Sequence, residues 1–214
     1  MKMTFGNISG SRVLFLLITY CFVVGCSNRP SRIHQAEVDF DEAVAAILAE
    51  SDADSSGSID AEEAAKFPSI KKRFSAFDSN GDGSLGADEL TSRLKSIFDP
   101  NVGLMSATCV VNTGGTIPVG ATVKFVPEGF LRKYIPGAEG VVRRDGITVL
   151  SIDQGDLPQG SPVSKGLIRP GLYRVEITHP DQTIPEQFNS QTELGEEVSG
   201  TTVSSGPFRF NLEY

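Results

Sequence analysis

A chain of 214 residues, 39% hydrophobic and without tryptophan, is long enough to bury one or two cores. Its formal net charge of −8 argues against nucleic-acid binding, which is driven by clustered Lys and Arg that this chain lacks. The acidity is uneven: residues 36–98 carry 14 acids against 6 bases, whereas residues 100–214 carry 12 against 9.

At the N-terminus, Lys2 and Arg12 precede the apolar run "VLFLLITYCFVV", Val13 to Val24. A membrane-crossing helix needs roughly twenty apolar residues, so this run is too short to span and suits the core of a signal peptide. Residues 1–25 are therefore set aside from the fold. The run ends in Val23, Val24, Gly25 and Cys26. This "VVGC" resembles the lipobox of bacterial lipoproteins, the alternative being an ordinary cleaved signal with an incidental cysteine. The resemblance implies cleavage before Cys26, acylation of its thiol, and a mature protein held to a bacterial membrane outside the cytoplasm by a lipid anchor. Ser27, where an Asp would favour the inner membrane, points to the outer membrane. Residues 26–35 read as a polar tether. Cys21 leaves with the signal and Cys26 carries lipid, so Cys109 has no partner and no disulfide framework exists. Cys109 sits in the strand-like "ATCVVN" and reads as a small core hydrophobe. A nucleophile would need a positioned base, and only His34 and His179 offer imidazole.

The next segment, residues 36–99, carries the chemistry. "DSNGDGSLGADE", residues 78–89, matches the EF-hand loop pattern. A hard cation of calcium's size takes six to eight oxygens. Asp78, Asn80 and Asp82 offer side-chain oxygens and Ser84 its backbone carbonyl. Gly86 leaves a place to water, and Glu89 closes the site with both carboxylate oxygens. Gly83 permits the sharp turn and Leu85 is the apolar anchor. "DADSSGSIDAEE" repeats these offsets with Asp52, Asp54, Ser56, Ser58, Asp60 and Glu63 as ligands, Gly57 at the turn and Ile59 as anchor. Two Ca²⁺ ions are expected, with Ile59 and Leu85 joined in a short two-stranded bridge.

Apolar spacing predicts flanking helices. Phe40, Ala43, Val44, Ile47 and Leu48 mark one entering the first loop, and Leu90, Leu94, Ile97 and Phe98 one leaving the second. Between the loops, Pro68 is expected to end the exit helix, and "SIKKRFSAF" to supply the next with Ile70, Phe74 and Phe77 inward. The loops start 26 residues apart, at Asp52 and Asp78, as in compact bacterial EF-hand pairs, and no methionine occurs in residues 36–98. Both features favour structural calcium over a sensor that opens a Met-rich groove.

Residues 100–214 turn to β-rich runs punctuated by Gly and Pro. Strands are expected near 107–112, 121–127, 139–143, 147–153, 171–178 and 206–213, with long loops over 155–170 and 179–205. Arg143, Arg144 and Asp145 read as a solvated hairpin turn. The blocks "VPEG", "PGLYRVEI" and "IPEQFNSQT" resemble the carboxypeptidase-regulatory-like, transthyretin-like domains of bacterial lipoproteins. That resemblance implies a Greek-key, prealbumin-like β-sandwich without a catalytic centre.

The expected architecture is thus multi-domain: an EF-hand helix pair followed by an all-β sandwich. The expected function is a non-catalytic structural or binding module of the cell envelope, engaging an envelope protein or glycan and no small-molecule substrate. A calcium-dependent switch acting on the sandwich's partner is the alternative, and an accessory subunit of an envelope hydrolase a more distant one.

Overall fold

Asp39 starts the first helix by accepting the Glu42 N–H at 3.0 Å, which satisfies one donor that a helix start leaves open. The computed structural model describes residues 33, 35–98, 102–157 and 166–213. The signal segment 1–25, Cys26, and all of the tether except residues 33 and 35 lie outside the described residues. Helix α1 (Phe40–Ser51) buries Ala43, Val44 and Ile47, as its spacing predicts. It packs against α4 (Ala87–Ile97), which buries Leu90, Leu94 and Ile97, and the Phe40 and Phe98 rings meet 6.0 Å apart. Between them, β1 (Ser58–Asp60) and β2 (Ser84–Gly86) pair antiparallel with Ile59 opposite Leu85.

The stretch joining the two loops differs from expectation. The exit from the first loop is one 3-10 turn (Glu63–Lys66), and Pro68 starts the following helix α2 (Pro68–Lys72) instead of ending the one before. Proline's missing N–H costs nothing at a first helical position, where no acceptor awaits it. The run then breaks at Arg73 (φ −109°, ψ 16°) before α3 (Phe74–Phe77). Ile70 and Phe77 are buried and Phe74 partly so.

Eleven strands are present among the described residues, two of them in the loop bridge. The others are β3 (Met105–Ser106), β4 (Thr108–Thr113), β5 (Thr122–Pro127), β6 (Ala138–Val141), β7 (Ile147–Val149), β8 (Leu167–Ile168), β9 (Gly171–Thr178), β10 (Gly195–Val198) and β11 (Phe208–Leu212). A four-stranded antiparallel sheet runs β10-β9-β5-β6 and a three-stranded sheet runs β11-β4-β7. In the second sheet β11 lies parallel to β4, Phe208 opposite Cys109. The pair β3-β8 completes the set. The two larger sheets touch through Phe125 on β5, whose ring lies 5.5 Å from Phe208 and 6.2 Å from Phe210 on β11.

Three expectations for this half are corrected. The stretch 179–205, read as a loop, contains β10 and the short helix α5 (Gly200–Ser204), and 155–170 contains β8. The strand begun at Ile147 ends at Val149, with Ser151 adding only an isolated bridge to Glu139. The charged turn at Arg143–Asp145 is not a hairpin: β6 pairs with β5 and β7 with β4, so the turn carries the chain from one sheet to the other.

Residues Ile33–Tyr214 form one compact unit in which helices and sheets share a core. Phe67 meets Phe130 edge-on at 5.1 Å, and Tyr134 donates to Glu42 at 2.8 Å. Gly195 on β10 lies directly on the Pro68–Ser69 backbone. Among the described residues no helix is long and apolar enough to cross a membrane.

Candidate metal centre

Each loop begins at a helix end. Asp52 caps α1 and Asp78 caps α3, so both carboxylates stand where the chain leaves helical geometry. The chain can curl back over them because residues at the fourth and sixth loop places adopt left-handed backbone. These are Ser55 (φ 60°) and Gly57 (φ 85°) in the first loop, Gly81 (φ 75°) and Gly83 (φ 86°) in the second.

The hydrogen-bond skeletons of the two loops agree at the sixth place and at the closing glutamate and differ by one residue at the other bond to the leading aspartate. Asp52 accepts the Ser56 and Gly57 N–H groups, both at 2.9 Å, and Asp78 accepts those of Gly81 at 2.7 Å and Gly83 at 3.1 Å. At the other end, Glu63 accepts from Ala53 N–H at 2.7 Å and Asp60 N–H at 3.1 Å. Glu89 accepts from the equivalent positions, Ser79 at 2.9 Å and Gly86 at 3.2 Å. The closing glutamate therefore clasps the second and ninth residues of its own loop in both cases.

In the first loop, carboxylate oxygens of Asp52, Asp54 and Glu63 all lie within 4.8 Å of one another. Three like charges gathered at this spacing repel, and a divalent cation is the chemistry that reverses the sign. Ser56 Oγ donates to the Ser58 carbonyl at 3.1 Å. Asp60 is turned elsewhere: its carboxylate accepts Glu62 and Glu63 N–H at 2.8 and 2.9 Å and starts the 3-10 turn. In the second loop, Asp82 accepts from Ser84 N–H at 2.9 Å, Ser84 Oγ at 3.0 Å and the Asn80 amide at 2.9 Å.

Hydrogen bonding holds several of these acids in their ionised form. Ser56 lowers the Asp54 pKa, the Ser84 N–H chiefly lowers that of Asp82, and the Gly86 N–H chiefly lowers that of Glu89. Ionised carboxylates are the form a hard cation requires. Among the described residues, Cys109 shows the opposite environment. Burial pushes its thiol up to about 12, which fits a core residue.

Sequence reasoning passed over a second set of acids. Glu128, Glu196 and Glu197 belong to the β half, are 1, 2 and 0% exposed, and each bonds a side chain of the helical segment. Glu128 Oε1 accepts Ser69 Oγ at 2.7 Å and Ser69 N–H at 3.3 Å, while burial raises its pKa to about 7. Glu196 pairs with Lys72, though burial outweighs that ammonium and leaves the carboxyl above its usual range. Glu197 Oε2 accepts Arg93 Nη2 at 2.6 Å and Nε at 3.2 Å, and Oε1 accepts Ser199 Oγ at 2.7 Å. Two adjacent glutamates ordinarily mark a wet surface, and nothing local in "LGEEVS" says otherwise.

Residues 70–95 match the family model described as EF hand, a stretch that covers the second loop with the helices on either side. The match points to calcium binding. No curated protein and no solved structure matches the chain.

Proposed function

We propose that the protein is a calcium-loaded structural module of the bacterial cell envelope. In this reading two EF-hand loops brace a β module that has no catalytic role and serves to bind an envelope partner. The carrying observation is the equivalence of the two loops: the same cap, the same left-handed places, the same glutamate clasp and the Ile59–Leu85 pairing. One loop lies within the stretch that matches the EF-hand model, and the other repeats its left-handed places and glutamate clasp. When bound, Ca²⁺ supplies positive charge to loops that gather carboxylates. Asp52, Asp54, Ser56, Ser58 and Glu63 would hold one ion, with Asp60 facing the 3-10 turn, and Asp78, Asn80, Asp82, Ser84 and Glu89 the other. The two sheets meeting through Phe125 favour reading the β half as a Greek-key sandwich of the prealbumin-like kind. Cys26 would carry the lipid, placing the module on the periplasmic face of the outer membrane.

Calorimetric titration of the protein with CaCl₂ tests the metal reading. Two ions per chain are expected. Glu89→Gln should weaken one site at least about tenfold by removing a bidentate oxygen. No uptake at millimolar Ca²⁺, or full uptake with Asp52 and Asp78 both replaced by Ala, would overturn the reading. The anchor is tested independently: Cys26→Ser should move the protein from the membrane fraction to the soluble fraction, and continued membrane association would remove the lipid from the account.

A further inference from the structure

Strand β10 is an edge strand of four residues, paired on one side only, with β9. All four of its residues are buried, and the middle two are glutamates. Burying two adjacent carboxylates is costly unless each finds a cation or strong donors. Their cationic partners come from neither sheet. Lys72 is the last residue of α2 and Arg93 lies in α4, and these supply the charge for Glu196 and Glu197.

Both cations ride on helices that adjoin the metal loops. Helix α4 begins at the end of the second loop, with Glu89 in its first turn and Arg93 one turn later on the same helix. Helix α2 lies between Glu63, which closes the first loop, and Asp78, which opens the second. Gly195 lets the Pro68–Ser69 backbone rest directly on β10, because a Cβ there would stand 2.1 Å from the Pro68 carbonyl carbon and the Ser69 nitrogen. One face of the edge strand is thus covered by the metal-binding half.

We propose that β10 is a calcium-conditional strand, held on β9 only while the loaded loops keep Lys72 and Arg93 against Glu196 and Glu197. This rests on the calcium reading and adds to it a regulated element. With α2 and α4 no longer fixed, each glutamate is left on its own face of the strand in a dry site without its cation, and water becomes the better solvent for both. The strand then leaves, and β9 (Gly171–Thr178) becomes the free edge of the sheet. A free edge offers unpaired backbone N–H and C=O groups to an extended segment of another chain.

Hydrogen exchange of the full-length protein, read by mass spectrometry with Ca²⁺ and with chelator, is the test. Calcium uptake is established first by calorimetry on the same preparation. Residues 195–198 are expected to exchange about a hundredfold faster without Ca²⁺, the local opening exposed by losing buried ion pairs, while residues 122–127 on β5 change by less than about threefold. The double variant Glu196→Gln/Glu197→Gln should bind Ca²⁺ normally and show at most about a twofold calcium effect at 195–198, because neutral amides do not need the cations. Unchanged wild-type protection at 195–198 in a protein that takes up Ca²⁺ overturns the inference and leaves the metal reading standing. Equal loss of protection over 195–198 and 122–127 also overturns it, since the whole fold and not the edge would be opening. Absence of Ca²⁺ uptake overturns both.

Discussion

Arg93→Met should lower the stability of the calcium-loaded protein by about 3–5 kcal/mol, the cost of stranding one member of a buried ion pair. Glu197 is 0% exposed and receives two of its three donors from the Arg93 guanidinium, at 2.6 and 3.2 Å. Methionine keeps most of the apolar stem, so lost packing contributes little. For a unit of this size that corresponds to a fall in Tm of about 10 °C. Thermal unfolding followed by circular dichroism in saturating Ca²⁺ measures it. Adding Glu197→Gln should recover more than half the loss, because the orphaned charge, and not the missing arginine, is the source of the penalty. A loss under about 1 kcal/mol would show that Glu197 reaches water instead.

Gly195→Ala should cost at least about 3 kcal/mol, more than ordinary overpacking, since the obstacle is main chain. The added methyl would stand 2.1 Å from two backbone atoms and 2.5 Å from the Pro68 carbonyl oxygen, and none of these can rotate aside. The helices would have to lift off the sheet, which also draws Ser69 from Glu128 and Lys72 from Glu196. Urea denaturation of the variant against Gly200→Ala provides the comparison. Gly200 has nothing within 4 Å of its would-be Cβ and opens α5, so its replacement should change stability by less than about 1 kcal/mol. Equal midpoints for the two variants would show that the contact at Pro68 yields freely.

The loops were legible in the sequence because coordination chemistry dictates residue type at fixed offsets. Oxygen ligands, a left-handed sixth place and an apolar eighth place leave little freedom, and the Ile59–Leu85 pairing follows. Strands with one wet face were legible for a similar reason: β5 and β11 alternate between buried and exposed, and so show a period of two. Strand β10 shows no alternation because both of its faces are covered, one by the core and the other by the helices. The cations that balance its glutamates, Lys72 and Arg93, lie 124 and 104 residues away along the chain. The turn at Arg143–Asp145 failed as a hairpin for the same kind of reason, since the choice of partner strand is made by the whole sheet and not by the turn. Pro68 begins a helix where the sequence predicts an end, because a residue that stops one helix is also well suited to begin the next.

The parallel pairing of β4 with β11 has a consequence for how the molecule assembles. β4 is the middle strand of its sheet, and one of its two neighbours is supplied from about a hundred residues further along. Closing a segment of that length costs configurational entropy before the first ladder bond is gained, so this sheet cannot act as an early local nucleus. The loop pair, by contrast, joins partners 26 residues apart from Ile59 to Leu85 and can organise first. Assembly therefore has a built-in direction, from the helical end toward the late-arriving strand that closes the second sheet over Phe125.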